Sequence, residues 1–165
     1  MEPEDASPVV LRGLRPGDLG WVVERHGALY AAEQGWGQPF EVTVARIVAD
    51  YGQSHDPAAE GAWIAELDGE RVGSVFCSRE DASTARLRLL LVEPSARGHG
   101  VGKRLVEECL AFARRAGYRR MTLWTHDVLT AARAIYRRCG FELVASETHT
   151  AFGTEVVGET WQRGL

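Results

Sequence analysis

Between Leu89 and Lys103 the chain reads LLLVEPSARGHGVGK, an apolar run that passes through a proline and a glycine-rich turn into an amphipathic stretch. Gly98, Gly100 and Gly102 alternate here behind Arg97 and ahead of Lys103. A strand that feeds a helix through such a turn makes an anion site, because the first helical turn carries unpaired N–H groups and a partial positive charge. Glycines remove the Cβ that would stand between those amides and a ligand, and Arg97 and Lys103 add positive charge. His99 and Val101 fall inside the same loop and share its place beside the anion. The spacing Arg-x-x-Gly-x-Gly is neither the GxxxxGK[ST] nucleotide loop nor the GxGxxG dinucleotide turn. A lone turn of this kind equally serves as a plain strand-to-helix connection; here the leucine strand, the arginine and the following helix occur together.

Other segments must position this loop. Val9 to Leu14 reads as a short strand ended by Arg15-Pro16-Gly17-Asp18, with Asp18 as helix cap. Leu19, Val22, Val23, His26, Leu29 and Tyr30 recur at helical steps up to about Ala32. Phe40, Val44, Ile47, Val48 and Tyr51 mark a second helix closed by Gly52. Asp68-Gly69 joins Ala62 to Leu67 and Arg71 to Ser78 into a hairpin. Ala85 to Val92 follows as a strand expected to become steadily more buried toward its end. Gly100 to Ala116 carries a stripe of Val101, Leu105, Cys109 and Phe112, the clearest helix of the chain. A strand at Arg119 to Thr125, a helix at Leu129 to Cys139, and strands at Phe141 to Glu147 and Val156 to Gln162 complete the order. The alternation predicts an α/β (α+β) architecture, a mixed sheet with helices packed on it.

The 165 residues suit one domain, residues 9–165 after a loose leader at 1–8. A formal charge of -4 gives no broad basic field, so attraction to nucleic acid or to an anionic membrane is not expected. Cys77, Cys109 and Cys139 are odd in number and lack the spacing of a disulfide framework or a metal knuckle. No metal is expected, since the histidines and cysteines lack ligand spacing. The acidic start and the lack of a long apolar run favour a cytoplasmic location over secretion or membrane insertion.

Arg97, Gly100 and Gly102 resemble the coenzyme A signature Arg/Gln-x-x-Gly-x-Gly/Ala of the GNAT superfamily of N-acetyltransferases. Ala131 to Phe141, AARAIYRRCGF, looks like the family's second marker, a helix carrying a tyrosine and ended by Gly-Phe. The order of elements from Val9 to Gln162 is also similar. The resemblance implies a GNAT-like mixed, mainly antiparallel central sheet of about seven strands with about four flanking helices. It implies acetyl-CoA as cosubstrate and an acyltransferase that moves the acetyl group to a primary amine of a small molecule or peptide. Tyr136 then matches the tyrosine that reprotonates the departing thiolate. Backbone groups of Leu91 and Val92 would bind the pantetheine arm and polarise the acetyl carbonyl, a form of oxyanion stabilisation.

An acceptor amine with a pKa of about 10.4 must lose a proton before it attacks. Candidate bases are Glu33, His126, Asp127 or a chain of waters, with Glu33 preferred among the side chains. Two departures from the family stand out. Leu129 replaces an asparagine that touches the cofactor arm in many relatives, and Arg86 and Arg88 stand where some carry a glutamate on the fourth strand. The alternative is therefore a non-catalytic acyl-CoA sensor or partner-binding module. Tyr30, Trp36, Phe40 and Trp63 either line an acceptor pocket or belong to the core, the two readings standing level for Trp63. The stretch Tyr30 to Phe40 is similar to acetyltransferase modules fused to MarR-type regulators, but these residues include no winged helix and imply no nucleic-acid role. The final strands could pair across a homodimer.

Overall fold

The computed structural model describes residues 8–165, so all of the expected leader except Pro8 lies outside the described residues. Its elements are β1 (Val10–Arg12), α1 (Asp18–Gln34), α2 (Gln38–Ser54), β2 (Gly61–Leu67), β3 (Glu70–Arg79) and β4 (Thr84–Val92). They continue through a 3-10 turn (Pro94–Ala96), α3 (Val101–Arg115), β5 (Arg120–His126), α4 (Thr130–Arg138), β6 (Glu142–Ala151) and β7 (Thr154–Gly164). The seven strands form one sheet in the order β1-β2-β3-β4-β5-β7-β6. Every neighbouring pair is antiparallel except β4 and β5.

Alternation along the strands sends side chains to two cores. Val75 and Cys77 of β3 join Val101, Leu105, Val106 and Cys109 of α3 on one face. Phe76, between them, joins Ile64, Val22 of α1 and Val44 and Val48 of α2 on the other. The loop 93–100 connects the two faces and sets the start of α3 at the open end of β4.

Local chemistry explains the turns. Asp68 and Gly69 both have positive φ, 53° and 79°, the geometry that makes Asp-Gly the favoured two-residue hairpin turn. Phe152 and Gly153 repeat it, at 54° and 81°, joining β6 to β7. Those strands extend past the expected ends at Glu147 and Val156, because a phenylalanine occupies a turn position where its side chain gives no turn signal.

Two sequence expectations need correction. Asp18 does not cap α1: its carboxylate accepts the Arg15 N–H at 2.6 Å and pairs with Arg12 at 2.6 Å and Arg71 at 3.2 Å. This buried cluster ties β1 and β3 to the start of α1, and the arginines outweigh burial in holding the Asp18 pKa down. β4 does not grow more buried toward its end; Thr84 and Ala85 are buried at its start, whereas Leu89, Leu90 and Val92 are only half-buried. The cause is a bulge. Leu89 takes a left-handed φ of 54°, the β3 register shifts between Ser74 and Phe76, and the Ser74 hydroxyl donates to the Leu89 carbonyl at 2.9 Å. Trp63, open between pocket and core, takes the core place. It packs edge-on against Phe112 on the α3 face, with centroids 5.3 Å apart, away from the aromatic group formed by α1 and α2.

Candidate active site

Pairing of β4 with β5 ends at Leu87 and Leu123, beyond which β5 pairs only with β7. The two parallel strands therefore diverge after the bulge. On the other side, Leu91 still opposes Ser74 and Val92 still opposes Gly73, so the edge of Leu90 to Val92 facing β5 is left without a strand partner. A cavity of about 550 Å³ occupies this opening, walled by β4, the loop into α3, the start of α4 and the end of α1.

Leu91, Val92, Arg97, Gly98, Gly100, Val101, Gly102 and Lys103 all line it. The first backbone bond of α3 runs from the Arg104 N–H to the Gly100 carbonyl at 3.1 Å. The amides of Val101, Gly102 and Lys103 thus have no intrahelical partner, and no side chain caps the helix. Gly98 and Gly100 have φ of 85° and 72°, and nothing stands where their Cβ would be. Conformation, more than close approach, demands glycine there. Gly102 differs: a Cβ would sit 2.5 Å from Ile135 Cδ1, so its missing side chain lets α4 pack on α3. His99 is exposed and absent from the cavity wall, its N–H directed to the Ala96 carbonyl at 3.4 Å.

Glu33 lies on the wall of this same cavity, its Oε1 paired with Arg97 Nη2 at 2.7 Å. It is absent from the smaller neighbouring cavity, about 150 Å³, which shares Tyr30, Leu90, Leu129 and Ala132 with the larger one. The smaller cavity holds Tyr136, Trp36 and Phe40, together with residues that sequence reasoning did not place there, among them His26, Arg86, Arg88, Leu89, Trp124 and Phe152. Phe152 reaches it from the β6–β7 turn and packs tilted against Trp36 and edge-on against Phe40, with centroids 5.0 Å and 5.1 Å away. No local signal in the sequence marks a hairpin tip as a pocket wall.

Tyr136 is buried on α4, and burial pushes its pKa well up, with the neighbouring Tyr30 adding to the shift. It is a protonated donor throughout the physiological range. Tyr30, at the junction of the two cavities, is pushed up to about 12 by burial and by Glu33. His26 is pushed down to about 4 by burial; its Nδ1 lies 2.8 Å from the Val22 carbonyl, which leaves Nε2 as a bare, unpartnered acceptor. His126, also buried, has an unpartnered Nε2, and burial followed by His149 lowers its pKa. Both imidazoles are therefore neutral near pH 7. Asp127 lies just outside, its N–H bonded to the Val157 carbonyl at 3.0 Å. Leu129 stands before α4 in the wall common to both cavities. Among the described residues no group of three or more His, Cys, Asp or Glu could hold a metal ion.

A sheet parted between its two parallel strands, with an uncapped helix start at one end of the gap and an aromatic chamber at the other, defines the acetyltransferase type of α/β protein. A phosphinothricin acetyltransferase from Sinorhizobium meliloti, solved with AcCoA, has the same fold with a TM-score of 0.73, 22% identity, and coverage of 95% of this chain and 88% of that one. The Acetyltransferase (GNAT) family profile matches residues 22–141, and the chain belongs to that family. Over 99 residues it is 36% identical to N-acetylaspartate synthetase of Danio rerio, covering 59% of this chain and 35% of that protein. Over 93 residues it is 34% identical to mycothiol acetyltransferase of Beutenbergia cavernae, covering 55% and 31%. The chain thus spans about a third of the length of these curated relatives.

Proposed function

We propose that the protein is an acetyl-CoA-dependent N-acetyltransferase acting on a primary amine. The observation that carries this reading is the divergence of β4 from β5, which leaves free backbone along Leu90 to Val92 in line with the unpaired amides of Val101, Gly102 and Lys103. An extended chain ending in a diphosphate matches that layout: pantetheine amides pair with the open strand edge, and the pyrophosphate meets the helix start with Arg97 and Lys103 beside it. The thioester then lies where the two cavities join.

The amine approaches from the aromatic side. His126, neutral and with a free nitrogen, takes the ammonium proton there, whereas Glu33 acts on the cofactor side through Arg97. Attack on the thioester carbonyl forms the C–N bond and breaks the C–S bond; Tyr136 protonates the leaving thiolate and recovers a proton given up by the newly acylated nitrogen. The cytoplasm supplies acetyl-CoA, which supports a cytoplasmic location. The exposed edge strand β6, with Leu143 and Val144 open to solvent, supports a homodimer formed by strand pairing; sedimentation of a monomer at all concentrations would remove that part.

The test is calorimetric titration with coenzyme A followed by thiol release with a panel of amines. Tyr136→Phe is expected to keep coenzyme A binding and lower kcat by roughly a hundredfold or more, as loss of a general acid does. Heat without thiol release on any amine would favour a non-catalytic acyl-CoA sensor, and absence of heat would reject the cofactor assignment.

A further inference from the structure

The acceptor chamber carries two cations that the transfer chemistry leaves unused. Arg86 and Arg88 project from the same face of β4, two residues apart, and both are half-buried in the wall of the smaller cavity. Among the described residues neither is within ion-pairing distance of a carboxylate, unlike Arg12, Arg25 and Arg133, which are each paired with a buried or half-buried acid. Asp50 of α2 acts on Arg88 only at longer range and is itself exposed. Two like charges held side by side in a partly dry cleft repel each other and lose hydration, and burial followed by Arg86 lowers the Arg88 pKa. A bound anion removes both penalties.

The rest of the chamber fits the other end of such a ligand. His26 is 2% exposed, lines the cavity and has an unpartnered Nε2 able to accept an N–H. His126, in the same wall, offers another. Arg88 is two residues before Leu90, where the cavities meet, at most about 7 Å along the chain because the Leu89 bulge shortens the rise. A long arginine side chain easily spans that distance to a carboxylate two or three bonds from the reacting nitrogen.

We infer that the acceptor is an amine that also carries a carboxylate, an amino acid or a compound built like one, with its carboxylate on Arg88 and Arg86 and its nitrogen beside the two histidines. This rests on the acetyltransferase reading and adds the acceptor class to it. Trp36, Phe40 and Phe152 close the chamber and provide an apolar surface for the side chain. A chamber of about 150 Å³ favours a free small molecule over the tail of a folded protein.

The experiment compares matched acceptors with saturating acetyl-CoA: phenylalanine, leucine and glutamate against their carboxamides and decarboxylated amines. Loss of a hydrogen bond to a charged group corresponds to roughly a tenfold to hundredfold change. The free carboxylates are expected to exceed their neutral counterparts in kcat/KM by about that factor. In Arg88→Gln the advantage should collapse through KM, and Arg88→Lys should restore part of it. Neutral amines turned over as well as the carboxylates, or a preference that survives in both Arg88→Gln and Arg86→Gln, would overturn the inference. Heat of coenzyme A binding in each variant reports that it is folded. If no amine of any kind releases thiol, the transferase reading fails; calorimetry of the same amino acids and amides on the coenzyme A complex then decides the carboxylate site alone.

Discussion

Arg97 and Glu33 illustrate how two charged residues can be read in isolation as cofactor ligand and base, yet meet each other in the fold. Their pair is exposed, and such pairs contribute less than about 1 kcal/mol. In the proposed binding mode a diphosphate at the start of α3 would displace the carboxylate readily, while the carboxylate would still compete for the guanidinium. Glu33→Gln is therefore expected to tighten coenzyme A by roughly twofold to fivefold, and Arg97→Glu to weaken it by about tenfold or more. Titration calorimetry reads both, and a weaker Glu33→Gln complex would show that the acid supports the site. In the adjoining smaller cavity, burial and then Tyr30 hold the Tyr136 pKa up, so it stays a donor.

Among the elements, β4 decides the site. Its bulge at Leu89 turns the strand away from β5, and the Ser74 hydroxyl and a close approach to β3 hold it there. Gly73 allows that approach: a Cβ on it would lie 2.7 Å from the Leu91 carbonyl oxygen and 3.0 Å from Leu105 Cδ1. Gly73→Ala should destabilise the protein by about 1 to 3 kcal/mol, since backbone cannot give way as a side chain can, and should raise the KM for acetyl-CoA by shifting Leu91. Gly102→Ala meets only the flexible tip of Ile135 and the Val92 methyl, so its loss is expected to be smaller. Urea unfolding ranks the two, and the reverse order would mean that α4, not the β3–β4 contact, sets the geometry.

At the scale of the whole molecule, the cavity is walled by α1, β4, α3 and α4, so a bound cofactor couples elements from both faces of the sheet. Coenzyme A at a hundredfold over its Kd should add about 2.7 kcal/mol, a rise of roughly 5 to 10 °C in Tm for a domain of this size; scanning calorimetry with and without ligand measures it. Acid acts through the buried imidazoles. His26 titrates near 4 when folded against 6.5 unfolded, so between those values the unfolded chain binds more protons. Stability is then complete above pH 6.5 and falls as pH drops toward 4, by on the order of 3 kcal/mol from this residue. The lowered Asp18 pKa acts only below its ordinary 3.8 and so leaves this window clear. Urea midpoints at pH 7.5, 5.5 and 4.5 should decline in the parent and less steeply in His26→Gln, which keeps the His126 contribution; parallel curves would exclude His26 as the source.

The order of elements, the Asp68-Gly69 hairpin, the α3 stripe and the glycine loop were all legible in the chain, because periodicity and turn chemistry act between residues a few positions apart. Arg97 and Lys103 could be named from the same local patterns, and Tyr136 from the resemblance of its helix to the family's second marker. What only the tertiary structure decided involves partners far apart in sequence: the Arg97 to Glu33 pair across 64 positions, Asp18 tied to Arg71, and Phe152 reaching Trp36 from a turn whose sequence does not announce it. The Leu89 bulge belongs to the same group, since a left-handed leucine is tolerated only where neighbouring strands impose it. Local spacing records what a segment prefers by itself. The opening between β4 and β5, and the unpaired arginines beside it, exist only once the strands are brought together.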